Sequence, residues 1–120
     1  LRRKTVAERQ LRKGALELVV LGLLASKPSY GGELVDRLEK ETDLGVSQGT
    51  LYPLLNRLRR GDLVSTEWQE SPSGPPRKIY RLTATGRGYL TELIDEWSRI
   101  AAAVDRATND NHNTSGKERS

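Results

Sequence analysis

The sequence contains no cysteine, no methionine and no phenylalanine, and its single histidine is His112. Without cysteine there are no disulfides, no thiolate metal sites and no thiol nucleophile. One histidine in a polar stretch leaves imidazole metal binding without partners. No carboxylate dyad, nucleophile–base pair or phosphate-cradling glycine loop is visible, which argues against an enzyme. Long apolar runs are lacking too. The apolar segment over 15–25 falls far short of the roughly 20 residues that cross a bilayer, and no small-residue cleavage site follows it. The expectation is a cytoplasmic protein with no cofactor, no metal and no membrane partner.

What is present is a chain of 120 residues with a formal net charge of +4. That length supports one compact domain with a modest core. The basic balance is a mild pointer to a polyanionic partner.

The most informative stretch is Ser47–Asp62, SQGTLYPLLNRLRRGD. Leu51, Leu54, Leu55 and Leu58 recur at helical spacing and share one face. The opposite face carries Gln48, Gly49, Tyr52, Pro53, Asn56, Arg57 and Arg60, with no carboxylate. Amide, phenol and guanidinium groups together suit a partner that is negatively charged and edged with hydrogen-bonding groups, and double-stranded DNA is the obvious one. Ser47 is a good N-cap, with Thr50 as the alternative. Gly61 is expected to end the helix in a left-handed conformation. Pro53 predicts a bend or a loosened first turn.

Before this stretch, residues 1–13 hold six basic side chains against one acid, Glu8. They form a basic arm, solvated or phosphate-touching, of which Val6–Leu11 either extends the next helix or forms a short one. Gly14–Ser26 is apolar nearly all round and should be buried on most sides, in the core or between the core and a second subunit. Leu16 and Val20 are its candidates for that interface. Lys27-Pro28 ends it. A second helix is expected over Ser29–Thr42, capped by Ser29, with Leu34, Val35 and Leu38 inward. Tyr30 beside Gly31-Gly32 is either a loop aromatic packed on the core or, with nearby amides, a phosphate holder. A short turn over Asp43–Val46 then completes a helix-turn-helix.

Past Gly61 the period changes to two, in Leu63–Trp68 and again in Lys78–Thr83. Between them, QESPSGPPR predicts a protruding loop too long for a two-residue hairpin. A hairpin directly after a helix-turn-helix is a wing. Arg77 and Lys78 at its base, with Arg81 close by, are placed to meet a DNA backbone or minor groove. Trp68 and Tyr80 are expected to pack the hairpin onto the helices. Thr83 caps a last helix whose residues Leu90, Leu93, Ile94, Trp97, Ile100, Ala101 and Val104 form an apolar seam. Left bare, that seam would be a large exposed patch, so a two-fold homodimer is expected. The fold class is thus mainly α with a small β-hairpin: a basic arm over 1–13, a winged helix-turn-helix over 14–83 and a C-terminal dimerisation helix over 84–107. A disordered polar tail is expected over 108–120.

These residues resemble the PadR family of bacterial winged-helix regulators. The resemblance runs from about Leu11 to Trp97 and includes LELVVLGLL, Pro28-Ser29-Tyr30-Gly31, GTLYPLLNRL, Gly61, GPPRKIY and LTATG. It implies a homodimeric repressor, often released by a small aromatic or planar effector. It also implies an effector cavity built by the first and last helices, with Trp97, Leu93 and Leu18 as lining candidates. The sequence therefore reads as a sequence-specific DNA-binding transcriptional regulator acting on a palindromic operator. Its candidate DNA contacts are Tyr30, Gln48, Gly49, Thr50, Tyr52, Pro53, Asn56, Arg57, Arg60, Arg77 and Lys78. The alternative is a winged-helix protein-interaction module that binds no DNA.

Overall fold

The structure is a computed structural model that describes residues 6–119, with side chains at residue 11 and over 14–109. In chain order it contains α1 (Val6–Ser26), β1 (Ser29–Tyr30), α2 (Gly31–Thr42), α3 (Gln48–Arg60), β2 (Val64–Ser71), β3 (Gly74–Leu82) and α4 (Ala84–Arg119). This is a winged helix-turn-helix followed by a long C-terminal helix. The chain divides into two units, Leu1–Leu90 and Thr91–Ser120.

In the first unit, α2 packs against α1 and α3, α3 against β2, and α1 against β3. Val20, Leu21 and Leu24 of α1 meet a core that includes Leu34, Leu38, Leu51, Leu55 and Leu58, all essentially without solvent contact. The inward leucines of α3 are the four that its periodicity selects. A buried arginine ties the corner between α1 and α2. Arg37 donates to the Lys27 carbonyl at 3.0 Å, to Ser29 Oγ at 2.9 Å and to Ser26 Oγ at 2.7 Å, and it pairs with Glu41 at 2.9 Å. Its polar atoms are therefore satisfied, which is the condition for burying such a charge.

Several expectations are corrected. Ser29 does not cap α2. It is buried in β1, which pairs with β3 as the outer strand of a three-stranded antiparallel sheet of order β1-β3-β2. The residue before a proline avoids helical geometry, the chain stays extended through 29–30, and Tyr30 becomes the N-cap with no side-chain bond of its own. Gly61 keeps a negative φ of −83°, and the left-handed residue is its neighbour Asp62 at 61°. The Leu63 N–H reaches the Leu58 carbonyl and the Asp62 N–H reaches that of Arg59, a Schellman closure one residue later than expected. An aspartate tolerates that conformation better than most side chains.

The wing has no long loop. Strand pairing continues through Trp68↔Lys78 and Gln69↔Arg77 to Ser71↔Gly74, leaving only Pro72-Ser73 at the turn. A bulge sets Pro75 and Pro76 against Glu70. β1 pairs only with Tyr80 and Ile79, so the prolines lie where the outer edge of β3 needs no N–H donor. Trp68 does not pack onto the helices either, being 71% exposed, whereas Tyr80 is buried.

Helix limits also differ. α1 begins at Val6, so of the two alternatives for Val6–Leu11 the structure has the one in which this stretch extends the helix; AERQLRK is rich in good helix formers. α4 continues to Arg119, past Thr108, where the sequence reading begins its tail. The first compact unit runs to Leu90 and so includes the first turns of α4. Thr83 accepts from the Gly86 N–H at 2.9 Å and donates to the Asp62 carbonyl at 2.7 Å. Leu16, Val20 and Leu90 are buried inside the protomer, so they are core residues and not free to line a subunit interface.

Candidate nucleic-acid interface

Helix α3 presents its polar face because Leu51, Leu54, Leu55 and Leu58 anchor the other one. Its start is set by Ser47, whose Oγ accepts from the Thr50 N–H at 3.3 Å while its carbonyl accepts from both Thr50 and Leu51. Doubling up on one carbonyl tightens the first turn. Pro53 then lies inside a continuous helix, four residues after Gly49, the carbonyl that loses its donor. Gln48, Gly49, Thr50, Tyr52, Pro53, Asn56, Arg57 and Arg60 are all exposed, as is Arg59, which the sequence reading left out. No acid occupies the first turn, and Arg57, Arg59 and Arg60 fill the last one, where the helix dipole favours cations.

Tyr52 joins this face to the wing. A side chain at Gly31 would collide with the Tyr52 ring and hydroxyl, so the phenol lies directly over the start of α2. Tyr30, Gly31, Gly32, Tyr52, Arg77, Lys78 and Tyr80 surround a shallow cleft of about 220 Å³. The Arg77 guanidinium stacks 4.5 Å from the centre of the Tyr30 ring, and Lys78 Nζ stands 5.9 Å from that of Tyr80. Four sequence-selected residues, Tyr30, Tyr52, Arg77 and Lys78, thus converge, although they come from three separate segments. Arg81 is not among them; it pairs with Glu67 at 2.9 Å.

Two ionisable groups beside this surface are shifted. Burial raises the Glu33 carboxyl, but a hydrogen bond and charge from Lys27, the Tyr30 N–H and Arg37 together outweigh it and hold Glu33 below its ordinary value. It therefore stays anionic, partnered by Lys27 at 2.9 Å. Burial and the nearby Tyr52 phenol push Tyr80 up, with Arg59 pulling the other way. Tyr80 accordingly remains a neutral hydrogen-bonding group.

Of the effector candidates, Leu18 is partly buried on α1, and Leu93, partly buried, and the half-exposed Trp97 lie on α4. Ile94, Trp97, Ile100 and Val104 form a stripe on α4 that is 48–53% exposed, with Ala101 partly covered beside it. Among the described residues, no group of three or more His, Cys, Asp or Glu side chains could hold a metal ion, and no helix is long and apolar enough to cross a membrane.

Residues 20–92 match the family model described as the transcriptional regulator PadR-like family. The transcriptional regulator Rv3488 of Mycobacterium tuberculosis is 37% identical over 84 residues, covering 70% of this chain and 77% of that protein. A PadR-like transcription factor structure from Bacteroides fragilis superposes with a TM-score of 0.72 at 44% identity, covering 86% of this chain and 99% of that one. A PadR family regulator structure from Eggerthella lenta gives 0.75 at 35% identity, covering 82% and 86%. A winged helix-turn-helix with GTLYPLL on its exposed-faced third helix, matched over most of its length to these proteins, belongs to the PadR-like family of transcriptional regulators and is not an enzyme.

Proposed function

We propose that this regulator is a homodimeric, sequence-specific DNA-binding repressor in which α3 enters the major groove and the wing base grips the flanking backbone. The observation that carries this reading is the acid-free outer face of α3, continuous with a cleft of tyrosines and cations. Gln48 and Asn56 are suited to pair adenine, and Arg57 to pair guanine or a phosphate. Tyr30, Thr50, Tyr52, Arg60, Arg77 and Lys78 hold phosphates, while Gly49 and Pro53 allow the helix end to approach closely. The half-exposed stripe of α4 is the dimer seam, a patch too apolar to stay in water. Two heads then read palindromic half-sites about 34–36 Å apart, or a multiple of that. A small planar effector received beside Leu93 and Trp97 would release DNA by favouring one head spacing over another.

The test is a salt titration on a duplex that the protein itself selects from random sequence. Log affinity should fall with log salt at a slope of about −4 or steeper. A flat dependence, or no selected duplex, rejects the reading.

A further inference from the structure

Trp68 is the most exposed aromatic side chain described among the large apolar residues left in water, at 71%. Single exposed apolar residues are ordinary. The placement of this one is informative. Along the hairpin, Val64 pairs with Leu82, Thr66 with Tyr80 and Trp68 with Lys78. Alternate residues share a face, so these three pairs form one row. The row begins in the core with Val64 and Leu82 and passes through the buried Tyr80, which lines the same cleft as Tyr52 of α3. It ends beyond the core in Trp68 and Lys78. Trp68 therefore lies on the side of the wing turned towards α3, one strand position outside the tyrosine cleft.

Its chemistry fits a polyanion. The indole has one donor and no strong acceptor, and a flat apolar face. A deoxyribose ring can lie on that face while the Nε1–H donates to a phosphate oxygen and Lys78 supplies the charge. The adjacent acid Glu67 points to the other face of the strand and is neutralised by Arg81. Glu70 is exposed near the turn, beside the bulge, one residue short of Ser71.

We propose that Trp68, with Lys78 opposite it, is a DNA-contacting residue that packs on the sugar–phosphate backbone flanking the groove read by α3. This rests on the DNA-binding reading above. The experiment uses full-length protein carrying 5-fluorotryptophan, with the W68F variant assigning the Trp68 fluorine line, and the duplex selected from random sequence. The Trp68 line should move on saturation with duplex. W68A should bind about tenfold more weakly, a typical loss for a tryptophan anchor, with circular dichroism verifying its fold. W68F, which keeps a ring but not the donor, should fall between. The salt slope should be unchanged in W68A but shallower by about one per contact in K78A, because only lysine releases a counterion. A Trp68 line that stays put in the saturated complex, or W68A binding as tightly as the parent, overturns the proposal and leaves DNA binding by α3 intact. If the parent protein selects no duplex, both readings fall together, and a Trp68 line that responds only to protein concentration assigns the residue to contact with a second copy instead.

Discussion

Single residues in this protein act mainly through how closely their neighbours approach. A methyl group at Gly86 would run into the Leu63 carbonyl and Leu82 Cδ1, whereas one at Gly88 would meet nothing within 4 Å. Gly86→Ala should therefore destabilise by about 1–3 kcal/mol through overpacking, and Gly88→Ala should stabilise by about 0.5–1 kcal/mol through helix propensity. Urea unfolding of the two variants checks the contrast. Arg37 is the second case. Arg37→Ala strips partners from the Lys27 carbonyl and from Ser26 and Ser29, and should cost about 3 kcal/mol. Arg37→Lys should recover little of it in the same measurement, because one ammonium cannot reproduce the guanidinium fork. None of this was legible beforehand: Arg37 looks like any charged residue of an amphipathic helix until α1 and β1 close around it.

At the scale of elements, α3 was the most legible part and the wing the least. The leucine spacing identified the buried face of α3 because its partners lie in the same helix. For that helix, Asn56→Ala should weaken binding to the selected duplex by about tenfold or more, as expected for loss of a bidentate base contact, while leaving binding to bulk genomic DNA nearly unchanged. Equal losses on both would make Asn56 a backbone contact, and fluorescence anisotropy on the two DNAs decides. In the wing, composition pointed to a long loop, yet the strands pair almost to the turn. Pro75 and Pro76 are strand breakers only where their N–H is needed, and an outer edge with a bulge does not need it. β1 was invisible for a related reason, since two residues carry no period.

For the whole molecule, the deciding feature is the stripe of Ile94, Trp97, Ile100 and Val104. If it is the seam of a dimer, the protein should sediment at twice its 13.4 kDa mass, and Ile100→Asp should halve that mass. The variant should retain its winged core, visible as unchanged helical circular dichroism, yet lose most affinity for a palindromic duplex, because one head forgoes the second half-site. A parent protein that sediments as a monomer removes the seam.

The sequence by itself determined which leucines turn inward on α3 and that a helix-turn-helix is followed by a hairpin. Those properties follow from the 3.6- and 2-residue periods of a local backbone, which can be counted along the chain. Only the tertiary structure decided that Ser29 is a strand residue held by Arg37, that Tyr52 covers Gly31 at the head of the wing cleft, and that Trp68 stands in solvent. Each depends on which distant segment arrives against it, and periodicity within one segment carries no information about that.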